Sequence, residues 1–520
     1  MIASTDYEQV ELYISCRGLK DLDFFGKSDP KVKLLGQTQG NWTQLGVTET
    51  LKDNLNPDFK KTIIVDFMFE SKQPLKFEVW DVDDSGKDDL IGSVETTVGE
   101  IMGARKQILE CDLKTKKAKT TGKLIVKAEK IGSTRNLVNW QWSAVKVMNT
   151  DGFFGSSDPF LRLFKQRFGG DWFQVHETEF IKDNLNPVWK PFSITDDKLC
   201  SGKHGQTFKI ECWDNSKSGK HNFIGQIEIS LEQLKGGQKE FPLANPKSSK
   251  AGTLKLLSFS VQEKPTFIDY LRGGEQLNLI AAIDFTGSNG IPTEPSSLHA
   301  FKPGGLNEYQ SALSAVGNIV LNYDSDKLVP VYGFGGKPHF PTLNQSTVSH
   351  CFPCTGDFQK AQVQGLQGLL DVYAHALTNV ELSGPTYFNP LITEALKVCE
   401  LNKQNELDVY TVLLIITDGE IHDMEETINT IVKASELPLS IIIIGVGNED
   451  FTKMEILDGD KGLKNSQGKS AARDFVQFVP FRKFQNDITL LAKHVLAEIP
   501  EQLVQYKTLV GRKPKVQVHN

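Results

Sequence analysis

The sequence predicts a multidomain chain: two all-β sandwiches followed by one α/β doubly wound, Rossmann-like domain. Three observations carry this reading. The first half is duplicated, each copy alternates in strand-like runs between turn clusters, and the pattern changes near residue 275 to continuous apolar runs separated by amphipathic helices.

The duplication comes first because it sets the architecture. Ser28-Asp29-Pro30 recurs as Ser157-Asp158-Pro159, and the hexapeptide Lys52–Pro57 recurs unchanged as Lys182–Pro187. Trp80-Asp81 recurs as Trp213-Asp214 and Ile91-Gly92 as Ile224-Gly225, so order and spacing survive with short insertions. Within the first copy, Val10–Ile14, Phe77–Trp80 and Lys123–Lys127 alternate in hydropathy between clusters of Gly, Pro, Asn and Asp. Two sandwiches follow, over residues 1–130 and 131–263. Residues 264–274, from Lys264-Pro265-Thr266 through Gly273-Gly274, read as a linker. Beyond them Leu277–Ile283, Leu328–Tyr332, Val412–Ile416 and Ile441–Val446 are short buried-type strands. Tyr309, Ala312, Leu313, Val316, Ile319 and Val320 fall at helical spacing, as do Ile428, Ile431 and Val432. Strands buried on both faces alternating with helices define a parallel sheet wrapped by helices over 275–510. Residues 511–520 read as a frayed tail.

Composition excludes several classes. Lys and Arg number 58 against 65 Asp and Glu, a formal charge of −7, which argues against nucleic acid as a partner. The longest apolar run, around Leu439–Val446, is far short of the roughly 20 residues that span a bilayer. The first residues lack a basic and apolar leader, and Ile2 in place of glycine excludes N-myristoylation. Seven scattered cysteines fit a reducing compartment, and the expected location is cytoplasmic. The isolated pair Cys351 and Cys354 reads as loop cysteines rather than a zinc site. No G-x-S-x-G nucleophile elbow is present. Gly26-Lys27-Ser28 and Gly468-Lys469-Ser470 mimic the end of a phosphate-binding loop, but Asp21 and Leu463 stand where its earlier glycine is required. His350, His422 and His494 have no obvious acid–base partners. The chain is expected not to be an enzyme.

Carboxylates cluster in the first copy. Asp23 and Asp29 flank one loop, and Asp81, Asp83 and Asp89 lie in a second. Alternation places Asp81 and Asp83 on the same side, and the turn at Gly86 can bring Asp89 back. If the loops meet at one end of the sandwich, five carboxylates converge; uncompensated they would repel and protonate. A hard divalent cation relieves this, and an all-oxygen set of flexible geometry selects Ca2+. Phe24 and Phe25 between Asp23 and Asp29 form either an apolar tip or a contact with the sandwich rim. Lys31 and Lys33, alternating on the next strand, either meet anionic head groups or form a solvated face.

The second copy departs from this set. Asp158 and Asp214 stand where Asp29 and Asp81 do, Gly152 stands six residues before Asp158, and Asp151 is one residue out of register. Ser216 and Asn222 replace the counterparts of Asp83 and Asp89. Asp158 and Asp214, with Asp151 as a third if a bulge brings it in, make a calcium site that is weak or empty at cellular calcium, because affinity follows ligand charge.

The α/β domain carries a second metal signal. Leu279–Ile283 runs into Asp284-Phe285-Thr286-Gly287-Ser288, and Leu413–Ile416 into Thr417-Asp418-Gly419. Ligands bind at that end of the strands in open α/β sheets. Asp284 and Asp418, with the hydroxyls of Thr286, Ser288 and the loop residue Thr386, suit octahedral Mg2+ or Mn2+ with a position left for an external carboxylate. Such a site makes an adhesion contact rather than a catalytic one.

The paired acidic loops resemble those of the C2 domain, over all of residues 1–130. The resemblance implies that Asp23, Asp29, Asp81, Asp83 and Asp89 hold calcium ions that bridge to anionic phospholipid membranes. The Asp284–Ser288 stretch, Thr386 and Thr417-Asp418-Gly419 resemble the metal-ion-dependent adhesion site of von Willebrand factor A-type domains; the middle position there is usually serine, and Thr286 keeps the hydroxyl. Two C2-type domains followed by an A-type domain resemble the copines over nearly the whole chain, including Ala282–Gly290, Ile415–Gly419 and Ala471–Phe481. That resemblance implies a calcium-dependent phospholipid-binding protein. It would move from the cytosol to the plasma membrane or endomembranes when calcium rises, and recruit target proteins through the A-type domain. The alternatives are a calcium-regulated enzyme at membranes with an unrecognised active site, and a calcium-independent scaffold.

Overall fold

A computed structural model describes residues 8–23, 26–38, 40–83, 88–131, 135–152, 155–166, 172–216, 221–459, 462–484 and 487–515. The chain folds as two compact units: Ser133–Thr266 alone, and Met1–Gly132 together with Phe267–Asn520.

The first copy consists of β1 (Glu8–Arg17), β2 (Pro30–Thr38), β3 (Asn41–Val47), β4 (Ile63–Phe67), β5 (Pro74–Asp81), β6 (Asp89–Thr97), β7 (Ile108–Lys114) and β8 (Thr120–Ile131), with a short helix α1 (Val98–Gly103) before β7. Period-two burial runs through β1, β4 and β5, as expected of strands with one face in a core. The sheet order is β3-β2-β5-β6-β7-β8-β1-β4, and the β6–β7 junction is a single pair, Ser93 with Lys114. Two four-stranded layers joined at that point make the sandwich.

The second copy is β9 (Arg135–Val145), β10 (Pro159–Gln166), β11 (Trp172–Glu177), β12 (Phe192–Thr195), β13 (Phe208–Asp214), β14 (Asn222–Ile229), β15 (Glu240–Pro242) and β16 (Thr253–Lys264), with helices α2 (Asp196–Cys200) and α3 (Leu231–Lys235). Its sheets run β11-β10-β13-β14 and β12-β9-β16-β15. Strand for strand this is the order of the first copy, so the duplication read from the hexapeptide extends to topology. Trp140, Trp142, Trp189 and Phe208 fill its own core.

The third domain opens with helix α4 (Phe267–Arg272), which lies inside the stretch expected to be a linker. Phe267, Ile268, Tyr270 and Leu271 are buried, because every apolar position of this short helix finds a partner. The central sheet is built from β17 (Gln276–Asp284), β18 (Leu328–Phe334), β20 (Phe352–Pro353), β23 (Val409–Thr417), β24 (Leu439–Gly445) and β25 (Val476–Pro480), in the order β20-β18-β17-β23-β24-β25. β21 (Gln362–Gln364) pairs with β18, while β19 (Gly336–Pro338) and β22 (Val380–Leu382) form a separate ribbon. The pairs β18–β17, β17–β23, β23–β24 and β24–β25 are parallel. One face packs on α5 (Glu308–Val320), α6 (Gly365–Leu377), α10 (Ile488–Leu496) and α11 (Ile499–Leu509); the other packs on α7 (Asn389–Gln404), α8 (Met424–Ala434) and α9 (Thr452–Asp458). β17 shows how: Leu277, Leu279, Ala281 and Ile283 enter the first layer, Ile280 and Ala282 the second. Helix α5 starts at an Asn307 capping box with Gln310, and α10 at Asp487, whose side chain accepts from the Leu490 amide.

The first sandwich and the α/β domain share one hydrophobic core, a feature the sequence reading did not anticipate. Phe69 meets Phe267 at 5.0 Å and Tyr323 at 5.1 Å between ring centroids. Lys130, nearly buried, pairs with Glu8 at 3.5 Å and with Asp269 of α4 at 3.4 Å. Gly103 ends α1 so close to the main chain of Asn322 that an added Cβ would lie 1.8 Å from its carbonyl oxygen. Residues 511–515 are held rather than frayed: the Tyr270 hydroxyl donates to the Arg512 carbonyl at 2.9 Å, and Lys515 pairs with Asp408. No helix among the described residues is long and apolar enough to cross a membrane.

Candidate functional site: paired acidic loops and a strand-end carboxylate pair

In the first sandwich the acidic loops meet at one end. Pro30 is registered opposite Asp81 across β2–β5, and Asp81 opposite Asp89 across β5–β6. The Asp29 amide donates to Asp81 Oδ1 at 2.6 Å, and the Asp53 amide donates to Asp29 Oδ1 at 2.7 Å. Asp53 adopts a left-handed conformation, φ 52°, at the tight turn of the repeated hexapeptide. That turn is anchored by Asn54 N–H to Ser28 O at 3.1 Å and by the Asn56 side chain, which accepts from Gly18 N–H at 2.8 Å.

Charge converges as well. Desolvation, then the negative charge of Asp81, Asp83, Asp29 and Asp21, pushes the Asp23 carboxyl above the ordinary carboxylate range. Asp81 is buried and Asp89 exposed, with Asp23, Asp29 and Asp83 between. Among the described residues no three His, Cys, Asp or Glu side chains form a ready-made metal cage. The donor set nevertheless fits a hard cation: it is all oxygen, crowded with like charge, and held by backbone donors that leave other carboxylate oxygens free. Phe24 and Phe25 lie outside the described residues. Lys31 is paired with Asp88, and Lys33 stands 4.6 Å over the Trp80 ring, so both are engaged within the domain.

The second sandwich repeats the brace. Asp158 N–H donates to Asp214 Oδ1 at 2.6 Å, and Asp183 N–H donates to Asp158 Oδ1 at 2.7 Å with φ 51° at Asp183. The register of the first loop differs from the sequence alignment. Asp21 Oδ1 accepts from Asp23 N–H and Ser28 N–H in the first copy; Asn149 Oδ1 accepts from Asp151 N–H and Ser157 N–H in the second. Asp151, not Gly152, is therefore the counterpart of Asp23, and the second loop carries one extra residue after it. Desolvation and the charges of Asp214 and Asp158 raise its carboxyl in the same way. Asn222 faces Asp214 as Asp89 faces Asp81, Ser216 N–H donates to His221 Nδ1, and the Thr150 hydroxyl is spent on Asp214 Oδ2. Three aspartates occupy positions that hold five in the first copy.

In the α/β domain the chain leaves β17 for β18 on one side and later enters β23 on the other. The strand order thus reverses at β17/β23, the crevice where open sheets bind ligands. Asp284 ends β17 and Thr417 ends β23. Asp284 Oδ1 accepts from the Thr286 amide at 2.8 Å and hydroxyl at 2.6 Å, and Oδ2 accepts from the Thr417 hydroxyl at 2.6 Å. Thr286 Oγ1 is 3.1 Å from the exposed Ser288 hydroxyl. Thr386 is buried in the loop beside this cluster, which is held by the Ser383 bridge to Thr286 and by a hydrogen bond from His422 N–H to the Thr386 carbonyl. Asp418 is buried, and among the described residues neither of its carboxylate oxygens has a hydrogen-bond partner. Burial, then the Asp418 charge, raises the Asp284 carboxyl far above its usual range. Two buried carboxylates, one of them orphaned, fit a divalent cation better than they fit each other.

Three supporting residues escaped the sequence reading. Thr417 spends its hydroxyl on Asp284. Asn289 Nδ2 donates to Thr286 O and Oγ1 at 3.3 Å, and is itself held by the Tyr309 hydroxyl at 2.7 Å. His299, fully buried, lies 3.0 Å from the Asp284 carbonyl and 2.9 Å from the Tyr373 hydroxyl and stacks on Tyr309. Thr417 was legible as the hydroxyl beside a strand-end aspartate; the other two carried no signal in spacing. Elsewhere, burial pushes the Cys351 thiol up to about 12 and Cys354 higher. Arg473 is buried, donating to Tyr410 Oη and to the Leu437 and Leu439 carbonyls, a structural role.

Comparison with known proteins agrees with this architecture. The C2 domain family model matches residues 10–113 and 135–243, and the Copine family model matches residues 297–515. The chain is similar to BON1-C2B at 26% identity, covering 25% of this chain and 94% of that one, with a TM-score of 0.22. It is also similar to a C2 domain of plant Extended Synaptotagmin 1, at 19% identity over 24% of this chain and 97% of that one, TM-score 0.20. A third likeness is to the calcium-bound pair of C2 domains of Extended-Synaptotagmin 2, at 17% identity over 50% and 98%, TM-score 0.22. Tandem C2 domains ahead of a copine domain define a calcium- and phospholipid-binding, membrane-associated class of protein. Two C2 domains followed by a Copine domain match the architecture of the copine family, and both families are generally binding and signalling proteins.

The burial of His299 generates a pH test. Desolvation lowers its pKa to about 3, so the folded protein holds it neutral while the unfolded chain takes up a proton near 6.5. The stability this supplies is present above pH 6.5 and is lost as pH falls toward 3, on the order of a few kcal/mol in all. Unfolding titrations should show the wild type more stable than His299→Gln at pH 7, with the gap narrowing by pH 4. A constant gap contradicts the assignment.

Proposed function

We propose that this chain is a calcium-triggered membrane adaptor. The observation that carries the reading is the convergence of Asp81, Asp83, Asp29 and Asp21 on the Asp23 carboxyl at one rim of the first sandwich. Asp23, Asp29, Asp81, Asp83 and Asp89 would hold Ca2+, which when bound cancels their charge and offers open coordination positions to phosphate oxygens of anionic lipids. The second sandwich, with Asp151, Asp158 and Asp214, is the weaker partner, and engagement of both would add through effective concentration. A rise in calcium would then move the protein from the cytosol to plasma membrane or endomembranes.

The α/β domain supplies the cargo side. Asp284, Thr286, Ser288, Thr386 and Asp418 would hold Mg2+ or Mn2+, whose remaining position suits a carboxylate of a target protein. Because that domain shares its core with the first sandwich, a cargo bound there would travel with the calcium-sensing domain.

In co-sedimentation with phosphatidylserine liposomes, Asp83→Asn should abolish calcium-dependent pelleting and Asp214→Asn should change it little; equal losses would refute the asymmetry. For the second metal, Asp418→Asn should raise the melting temperature of the metal-free chain by relieving the Asp284 repulsion. It should also remove the gain from magnesium, which at a hundredfold excess over Kd is about 2.7 kcal/mol. A magnesium gain that survives the substitution counts against the site.

A further inference from the structure

At the opposite end of the α/β sheet, where β17 begins, lies a cavity of about 330 Å³ between α4, the β23 entrance and the segment after α11. β17 has nine residues, so this cavity is about 26 Å from the Asp284 end. Its floor is a buried ion pair: Lys507 Nζ lies 2.5 Å from Glu275 Oε2, with side chains 4% and 3% exposed. Among the described residues Glu275 Oε1 has no hydrogen-bond partner. A buried carboxylate oxygen left unpaired costs free energy until a donor meets it. Its pair partner is already committed, and the nearby Lys515 is committed to Asp408.

The rim supplies the complementary charge. The main chain of Arg512 is fixed by the hydrogen bond its N–H donates to the Lys507 carbonyl at 2.9 Å and by the Tyr270 hydroxyl, which donates to its own carbonyl. That holds the exposed side chains of Arg512 and Lys513 over the opening, where neither makes an ion pair or hydrogen bond among the described residues. The lining carries four cationic against three anionic side chains. A ligand that meets Arg512, Lys513 and Glu275 Oε1 together is small, carries a phosphate for the two cations, and carries an ammonium for the carboxylate oxygen.

We propose that this cavity is a binding site for an aminoalkyl phosphate, with Glu275 reading the amine and Arg512 and Lys513 reading the phosphate. The chemistry occurs both in free phosphoethanolamine and in the head group of phosphatidylethanolamine. The site is independent of the calcium and magnesium readings.

Calorimetric titration of phosphoethanolamine into the full chain without calcium is the test. Saturable binding is expected, with inorganic phosphate and ethanolamine each at least about tenfold weaker. Arg512→Ala and Lys513→Ala, at exposed positions, should each weaken it about tenfold. Glu275→Gln should erase the preference for phosphoethanolamine over phosphate. Flotation with phosphatidylcholine vesicles, with and without phosphatidylethanolamine, names the source: retention only with the latter assigns the lipid head group, and retention on neither assigns the free phosphate. Absence of saturable binding, equal binding of the three probes, or no loss in the Arg512 and Lys513 variants overturns the proposal.

Discussion

A backbone amide placed against each of two carboxylates is the interaction on which the acidic rim of each sandwich depends. Asp29 N–H meets Asp81, and Asp53 N–H meets Asp29; the second copy repeats this as Asp158 on Asp214 and Asp183 on Asp158. Like charges at such a rim repel, so their positions must be fixed by donors that carry no net charge. The six-residue repeat supplies one such donor twice, from a left-handed aspartate that turns its amide inward. The strongest sequence signal of duplication is thus also the part that holds the acidic loops in place.

Much of the fold was legible because it rests on local periodicity. β1, β5, β8, β17, β18, β23 and β24 lie where alternation or short apolar runs put them, and α5 where its apolar spacing put it. What escaped depends on contacts distant in sequence. The stretch 264–274 has the composition of a linker, yet its central residues are helical because Phe69 and Tyr323 receive Phe267. Residues 511–515 look like a tail until Tyr270 and Asp408 are brought beside them.

The candidate sites divide in the same way. Aspartates bracketing a loop, or ending a buried strand, are visible as spacing, and the structure brings Asp284 and Asp418 into one buried cluster. Register through an irregular loop is not visible: Asp151 aligns with Asp23 only once the side chains of Asp21 and Asn149 are seen to do the same work. Nor can spacing reveal that His299 and Asn289 support the strand end from beneath, since each acts across a layer. Lys31 and Lys33 show the limit of reading charge alone, for both are spent on neighbours, Asp88 and the Trp80 ring.

Two carboxylate clusters, at the rim of a sandwich and at the switch point of a parallel sheet, share one physical problem, which in the proposed function a divalent cation would solve. The shared core between their domains makes the two clusters parts of one body. The central claim is that the rim carboxylates of the first sandwich are a calcium site, and isothermal calorimetry of calcium into the full chain addresses it directly. The account predicts saturable heat that disappears when Asp23 and Asp81 are both changed to asparagine. Absence of heat in the wild-type chain, or heat undiminished in that double variant, would contradict it.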